Sequence, residues 1–248
     1  MSDSTSPYDV TEDDHGKVRV LTLNRPDKLN AFTADGYKVL TARLDAAADN
    51  PDVAVVVVTG RGRAFSAGVD LSEMTRPGGS TELGTHFDPL LRRLASFPKP
   101  LLGAVNGLAV GFGATLLLHC DVVVIDEGAL VRLPFVALGT CAEAASSWLL
   151  PRRVGMQAAA WMVLSGAALT ADDAVHHGFA LAKAPAGRAV DDALAMAAQM
   201  SAHTVTALVA NKRLLRHGWP EAVDEVWERE KAAMMAVAED LGPIGWDR

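Results

Sequence analysis

Hydrophobic positions along the chain change period several times, and each change marks an element. Val18–Leu23 (VRVLTL) is β-rich and follows the turn signal Asp14-His15-Gly16, which predicts the second arm of a hairpin. Asn24-Arg25-Pro26 stops it. Thr33 stands where it can cap a helix through about Ala48, because Tyr37, Leu40 and Leu44 recur on one face. Asn50-Pro51-Asp52 ends that helix. Val53–Thr59 (VAVVVVT) is an unbroken apolar run, as expected of a strand covered on both faces.

The same order then returns. A glycine-bearing loop (GRGRAFSAG) is followed by a helix over about Leu83–Ala95, which Phe97-Pro98-Lys99-Pro100 breaks. Leu101–Val105 is the next strand, Gly107–Gly113 a turn and Ala114–His119 a short apolar helix. Asp121–Ile125 (DVVVI) reads as another buried strand, with one more at Ala129–Val131. From Glu143 the pattern is helical: Glu143–Leu150, Gly155–Leu164, Ala171–His176, Ala189–Ala202, Val205–His217 and Pro220–Glu239. Strand–helix alternation followed by helices predicts an α/β core over 1–190 and a helical region over 191–248. Residues 1–7 read as a loose tail, and no low-complexity linker splits the chain. The last helix sets charges among Val223, Val226 and Trp227. Two readings stay open for it: a solvated face over a core stripe, or packing against another subunit.

Composition narrows the class. The chain has 248 residues, half of them hydrophobic, enough to bury a sizeable core. Its net charge of −7 argues against a general nucleic-acid binder, which needs a basic face. Leu101–Ile125 is apolar enough to test as a membrane span. Asn106, His119 and Asp121 interrupt it, so a strand and a buried helix are expected instead. The first residues lack a basic and then apolar leader, and the last (IGWDR) match no common address, so cytoplasm is the expected location. Cys120 and Cys141 lie outside any zinc spacing and are expected to be small buried hydrophobes. The seven histidines are scattered, with surface or capping roles expected and no metal site.

There is no GxGxxG after the first strand, no GxxxxGK[ST], no GxSxG and no HExxH. Two small-residue turns remain, Arg63–Leu71 (RAFSAGVDL) and Asn106–Gly113 (NGLAVGFG), each where a strand gives way to a helix. Small residues let backbone N–H groups face outward. Side by side, two such turns would supply a pair of donors for one oxygen, an oxyanion hole.

These residues form an ordered set: Asn24-Arg25-Pro26 with Lys28-Leu29-Asn30-Ala31, AFSAGVDL, NGLAVG, Cys120-Asp121, and Leu164-Ser165-Gly166 through Leu169-Thr170-Ala171 to Gly178. The set resembles the crotonase (enoyl-CoA hydratase/isomerase) superfamily from about Val18 to Trp219. The resemblance implies a spiral of ββα units, a C-terminal helical region that builds trimers or dimers of trimers, acyl-CoA thioester ligands and no separate cofactor. It implies oxyanion donors at the Ala67 and Phe112 N–H groups, with the Phe112 side chain as pocket wall. It implies a CoA site from Lys28, Leu29, Ala31, Ala64, Ala67, Gly68, Val69, Asp70 and Leu71. Of the loop cations Lys28, Arg61 and Arg63, Lys28 matches best. The acyl pocket would draw on Met74, Gly111, Thr115, Phe135, Leu138 and Gly139. Phe87, Leu90, Leu94 and Trp148 are further candidates for its walls.

The chain departs from the family's hydratases. Their two water-handling glutamates are replaced by Thr115 and Phe135, and a threonine hydroxyl is too weak a base to substitute. Thr115 is expected to bond its own helix backbone. One acid remains in the apolar stretch Leu133–Ser147: Glu143, ten residues after Leu133. Pro134-Phe135…Leu138-Gly139…Glu143 resembles the pattern of peroxisomal-type Δ3,Δ2-enoyl-CoA isomerases, whose glutamate is the single base. An acid between Ala142 and Ala144 is expected to have a raised pKa. The competing role for Glu143 is to start the helix Glu143–Leu150. Three functions follow: the isomerase; another thioester reaction such as dehalogenation, hydrolysis or decarboxylation; or acyl-CoA binding without turnover.

Overall fold

A computed structural model of the chain describes residues 8–241; the expected tail at 1–7 and the terminal IGWDR lie outside them. A hairpin of β1 (Val10–His15) and β2 (Val18–Leu23) opens the fold, and α1 (Ala34–Asp49) follows. The Thr33 hydroxyl caps α1 by accepting the Gly36 N–H at 3.0 Å. A unit of two strands and a helical stretch then recurs. First come β3 (Val55–Gly60) and β4 (Ala64–Ser66), with α2 (Leu71–Thr75) and α3 (Gly79–Ser96). Next come β5 (Leu101–Val105), β6 (Leu108–Val110) and α4 (Phe112–Leu118). The third repeat has β7 (Val122–Asp126), β8 (Leu130–Arg132), α5 (Ser146–Val154) and α6 (Met156–Ser165). After these come β9 (Ala168–Thr170), α7 (Ala171–His176), β10 (Ala182–Ala184), α8 (Ala189–Ser201), α9 (Val205–Leu215) and α10 (Trp219–Leu241).

The first strand of each unit joins a six-stranded sheet, β1-β2-β3-β5-β7-β10, parallel apart from β1. The second joins a four-stranded sheet, β4-β6-β8-β9. The chain therefore winds from one sheet to the other and back, as a spiral of ββα units. Valines of β3 alternate between two cores: Val56 and Val58 face α1, α3 and α4, while Val55 and Val57 face α8. Burial on both faces is why that run has no polar alternation.

Several expectations change. The loop GRGRAFSAG contains β4, and the turn Gly107–Gly113 contains β6. Leu101–Ile125 is four separate elements, and no single helix among the described residues is long and apolar enough to cross a bilayer. The boundary at 190 falls at the start of α8, which covers one face of the larger sheet. The next helix, α9, is tied in by Asp121, which pairs with Lys212 at 2.7 Å and Arg216 at 2.8 Å. The apolar stripe of α10 packs on its own chain: Val223, Val226 and Trp227 are buried, and the Trp227 indole donates to Asp88 at 2.8 Å. Cys120 is buried, whereas Cys141 is only partly so. His119 is fully buried, contrary to the surface role expected of the histidines.

Candidate active site

The two small-residue turns meet. Gly68 has φ +91°, and a Cβ there would lie 2.7 Å from the Val110 carbonyl oxygen and 3.3 Å from the Phe112 nitrogen. Gly113 is as tight: its Cβ would fall 2.4 Å from the Ser66 carbonyl oxygen. Only glycine permits this approach.

Local side chains hold the first turn. Asn30 is fully buried; its amide donates to the carbonyls of Arg61 at 3.0 Å and Ala64 at 2.9 Å, and its Oδ1 accepts the Arg25 N–H at 2.9 Å. The Ser66 hydroxyl donates to the Asn30 carbonyl at 2.9 Å and accepts the Gly68 N–H at 3.1 Å. Arg25 donates to the Ala31 carbonyl and pairs with Asp70 at 2.6 Å. Burial pushes the Asp70 carboxyl up, but bonds from Ser72 and Arg25 outweigh it and hold its pKa below the usual range. Asp70, expected at the CoA site, is thus engaged by Arg25 and by capping α2.

Phe32 sorts the amides of this turn. Its N–H donates to the Gly68 carbonyl at 2.7 Å, and its carbonyl accepts the Asp70 N–H at 2.8 Å. Peptide groups of an extended segment alternate in direction, so the Val69 N–H points the other way. It has no acceptor among the described residues, and neither has the Phe112 N–H, which opens α4. The Ala67 N–H does have one: it donates to the Leu29 carbonyl at 2.9 Å. The free pair is therefore Val69 and Phe112, and Ala67 is corrected as a donor. Phe112 lines the cavity beside these amides, and its ring also anchors the core. It is fully buried in an aromatic cluster, 5.0 Å from Phe32, 5.2 Å from Tyr37 and 5.1 Å from Phe87.

These amides border a cavity of about 160 Å³. Its walls come from Ala67, Val69, Leu71, Met74, Val110, Gly111 and Phe112, from Pro134, Phe135, Leu138, Thr140, Cys141 and Glu143, and from Met234 of α10. Of the expected acyl-pocket residues, Met74, Gly111, Phe135 and Leu138 line it. Thr115 and Gly139 do not; Thr140 and Cys141 stand there instead. Thr115 is buried inside α4, its hydroxyl 3.4 Å from the Phe112 carbonyl oxygen. Gly139 closes a 3-10 turn over Val136–Leu138 with φ 67°. Ala64 is buried in β4, Lys28 is exposed, and Leu29, Ala31 and Gly68 are not among the residues lining the cavity. Phe87, Leu90 and Leu94 belong to the core, and Trp148 packs on Trp219.

Glu143 does not start a helix. Ala144 and Ala145 follow it with φ 57° and 59°, and α5 begins only at Ser146. Glu143 is half-buried and lines the cavity. Loss of solvent, then the nearby Glu230 carboxylate, push its pKa up to about 7. Glu230, on α10, is 5% exposed and accepts the Ala145 N–H at 2.7 Å and the Ser147 N–H at 2.8 Å. It was legible only as one charge among many in that helix. The available signal was its place on the apolar face, one turn from Trp227 and from Met234. Among the described residues no group of His, Cys, Asp and Glu is arranged to hold a metal.

A model of the family "Enoyl-CoA hydratase/isomerase" matches residues 13–240. The 2,3-dehydroadipyl-CoA hydratase of Escherichia coli is 38% identical over 226 residues, 90% of this chain and 89% of that protein. The 1,2-epoxyphenylacetyl-CoA isomerase of the same organism is 38% identical over 163 residues, 63% of this chain and 62% of that protein. An enoyl-CoA hydratase/isomerase from Pseudoalteromonas atlantica superposes with a TM-score of 0.86 at 30% identity, covering 92% of this chain and 91% of its own. With its two-sheet spiral and converging small-residue turns, the chain belongs to the enoyl-CoA hydratase/isomerase family.

Proposed function

We propose that the protein is a Δ3,Δ2-enoyl-CoA isomerase with Glu143 as its single base. The observation that carries this reading is that Glu143 is the one carboxylate among the described residues lining the cavity. The positions of the hydratase acids hold a buried threonine and an apolar wall residue, Thr115 and Phe135. Moving a double bond needs no water and only one proton carrier. Glu143 takes a proton from C2 of a 3-enoyl thioester. The electron pair moves into a dienolate, whose charge rests on the thioester oxygen. The Val69 and Phe112 N–H groups receive that oxygen; losing one such donor costs about 3 kcal/mol in comparable sites. Glu143 then returns its proton to C4, giving the conjugated 2-enoyl thioester. A carboxyl with a pKa of about 7 suits both steps, as acceptor and then donor near neutral pH. The spacing from Pro134 to Glu143, similar to the peroxisomal-type isomerases, supports the same reading.

Assembly into trimers or dimers of trimers belongs to this reading. Trp161 (63% exposed), Leu164 (71%), Leu214 (75%) and Leu215 (85%) are its support. Light scattering tests it, and a monomer would refute it. For the reaction, conversion of a trans-3-enoyl-CoA to its 2-enoyl isomer is expected from the wild type and lost in Glu143→Gln. No hydration of a 2-enoyl-CoA is expected. Equal conversion by wild type and variant would overturn the assignment of the base, and thioester binding with no conversion would favour a binding protein.

A further inference from the structure

The segment that carries Glu143 is bent in a way its sequence does not favour. Ala144 and Ala145 are both left-handed and both fully buried. Residues with a Cβ seldom adopt that region, and two in succession persist only where the surroundings over-determine them. Three hydrogen bonds from distant parts of the chain do so. The Ala144 carbonyl accepts from His119 Nε2 at 3.0 Å. The other two go to Glu230, one on each carboxylate oxygen, from the amides of Ala145 and Ser147. A buried carboxylate is costly unless satisfied, and here backbone N–H groups satisfy it in place of a cation. Met234, one turn further along α10, lines the cavity. The same helix thus brings a pocket wall and the anchor of the acid-bearing turn.

We infer that Glu230 is a positioning residue for Glu143: its carboxylate clamps the turn 143–147 in its left-handed form, so the site exists only when α10 is docked. This rests on Glu143 being the base. The clamp also sets the charge around that base. The groups facing Glu143 are Glu230 from α10, Tyr37 from α1 and Cys141 of its own segment, with His119 from α4 behind Ala144. Burial pushes the His119 imidazole down to about 3, so the ring is neutral and Nε2 carries the proton that Ala144 accepts. Burial likewise keeps the Tyr37 phenol protonated. Glu230 is therefore the charge that Glu143 feels. Burial raises the pKa of both acids, but only Glu230 has two N–H donors favouring its ionised form. Glu143 is the member of the pair that takes the proton.

Two full-length variants test this. Glu230→Gln keeps the size and removes the charge and one acceptor. Glu230→Asp keeps the charge and withdraws it from the amides by one methylene. Three quantities are followed: hydrogen exchange of the 143–147 amides, the carbon NMR titration of the Glu143 carboxyl (assigned by its loss in Glu143→Gln), and turnover of a trans-3-enoyl-CoA. For Glu230→Gln we expect exchange faster by about tenfold or more and Glu143 titrating at lower pH than in the wild type. Its kcat should fall about 10- to 100-fold, with KM within about twofold. A folded Glu230→Gln with wild-type exchange and titration overturns the clamp. If that variant does not fold, unchanged exchange in Glu230→Asp overturns it instead. Exchange and titration do not depend on turnover. Should they move in a protein that isomerises nothing, the clamp stands and the isomerase reading falls. Should the wild type isomerise and Glu230→Gln match it throughout, the clamp falls and the isomerase stands.

Discussion

The two halves of the cavity are built differently. The amide half uses backbone groups at the ends of short strands, tied by neighbours such as Asn30 and Ser66. Its donors are N–H groups, which every residue except proline supplies, so they survive nearly any change of side chain. The acid half is one carboxylate on an irregular segment, held from far along the chain by His119 and Glu230. One substitution removes it. In the proposed reading the first half recognises a thioester carbonyl whatever follows, and the second decides which reaction follows. On the proposed reading, Thr115 and Phe135 at the positions of the hydratase acids, with the amide turns kept, are that division seen in one chain.

The largest effect tests the acid half. Glu143→Gln removes the proton carrier and leaves both amides in place. We expect kcat for 3-enoyl-CoA isomerisation to drop about 10³-fold, within the usual range for a general base, while affinity for a saturated acyl-CoA stays within about twofold. A drop of less than tenfold would mean that the acid half is not the chemistry. Gly68→Val tests the amide half. Its Cβ would stand 2.7 Å from the Val110 carbonyl oxygen in a left-handed backbone, so the two turns must part. The expected loss is about 10²-fold in kcat, and calorimetry should show that affinity for the saturated acyl-CoA falls as well. Wild-type binding in Gly68→Val would separate the amides from carbonyl recognition and break the contrast.

A pH series sharpens it. If Glu143 is the base, isomerisation needs its carboxylate, so kcat/KM should rise with pH and level off above about 7. Stability should run the other way. Glu143 has its pKa raised from 4.5 to about 7 on folding. Between those values the folded chain holds a proton that the unfolded chain has lost. Folding is thus favoured less as pH climbs, by roughly 3 kcal/mol across the window. Denaturation midpoints of wild type and Glu143→Gln, measured at pH 5 and pH 8, should show Glu143→Gln relatively more stable at pH 8. A difference independent of pH would mean that the carboxyl is solvated.

What was legible follows the same division. The β3 run VAVVVVT announced a strand covered on both sides, and α8 and the α1–α3 layer cover it. The second strand of each unit has three residues, too few for a period to register, and it pairs only with its counterparts in neighbouring turns of the spiral. The two small-residue turns were readable, but not which amide was free. That depends on Phe32 pairing across to the Gly68 carbonyl and the Asp70 N–H, a contact 36 residues apart in number that no local spacing records. Glu143 stood out because its neighbours are apolar. The helix appeared to begin there because alanine favours helices, whereas tertiary bonds force Ala144 and Ala145 into the opposite hand.

The smallest expected effect lies outside both halves. Lys28 ends a short 3-10 turn, is exposed, and makes no ion pair among the described residues. In the proposed reading it meets a phosphate of CoA, at a distance from the reacting carbons. Exposed pairs of this kind contribute about 0–1 kcal/mol and weaken with salt. Lys28→Ala should therefore raise KM for an acyl-CoA only about two- to fivefold at low ionic strength, leave kcat unchanged, and lose even that difference in concentrated salt. A pantetheine thioester, which lacks the nucleotide phosphates, should not distinguish Lys28→Ala from wild type at any salt. A change in kcat would place Lys28 close enough to the carbonyl to act on the chemistry. It would then belong to the amide half.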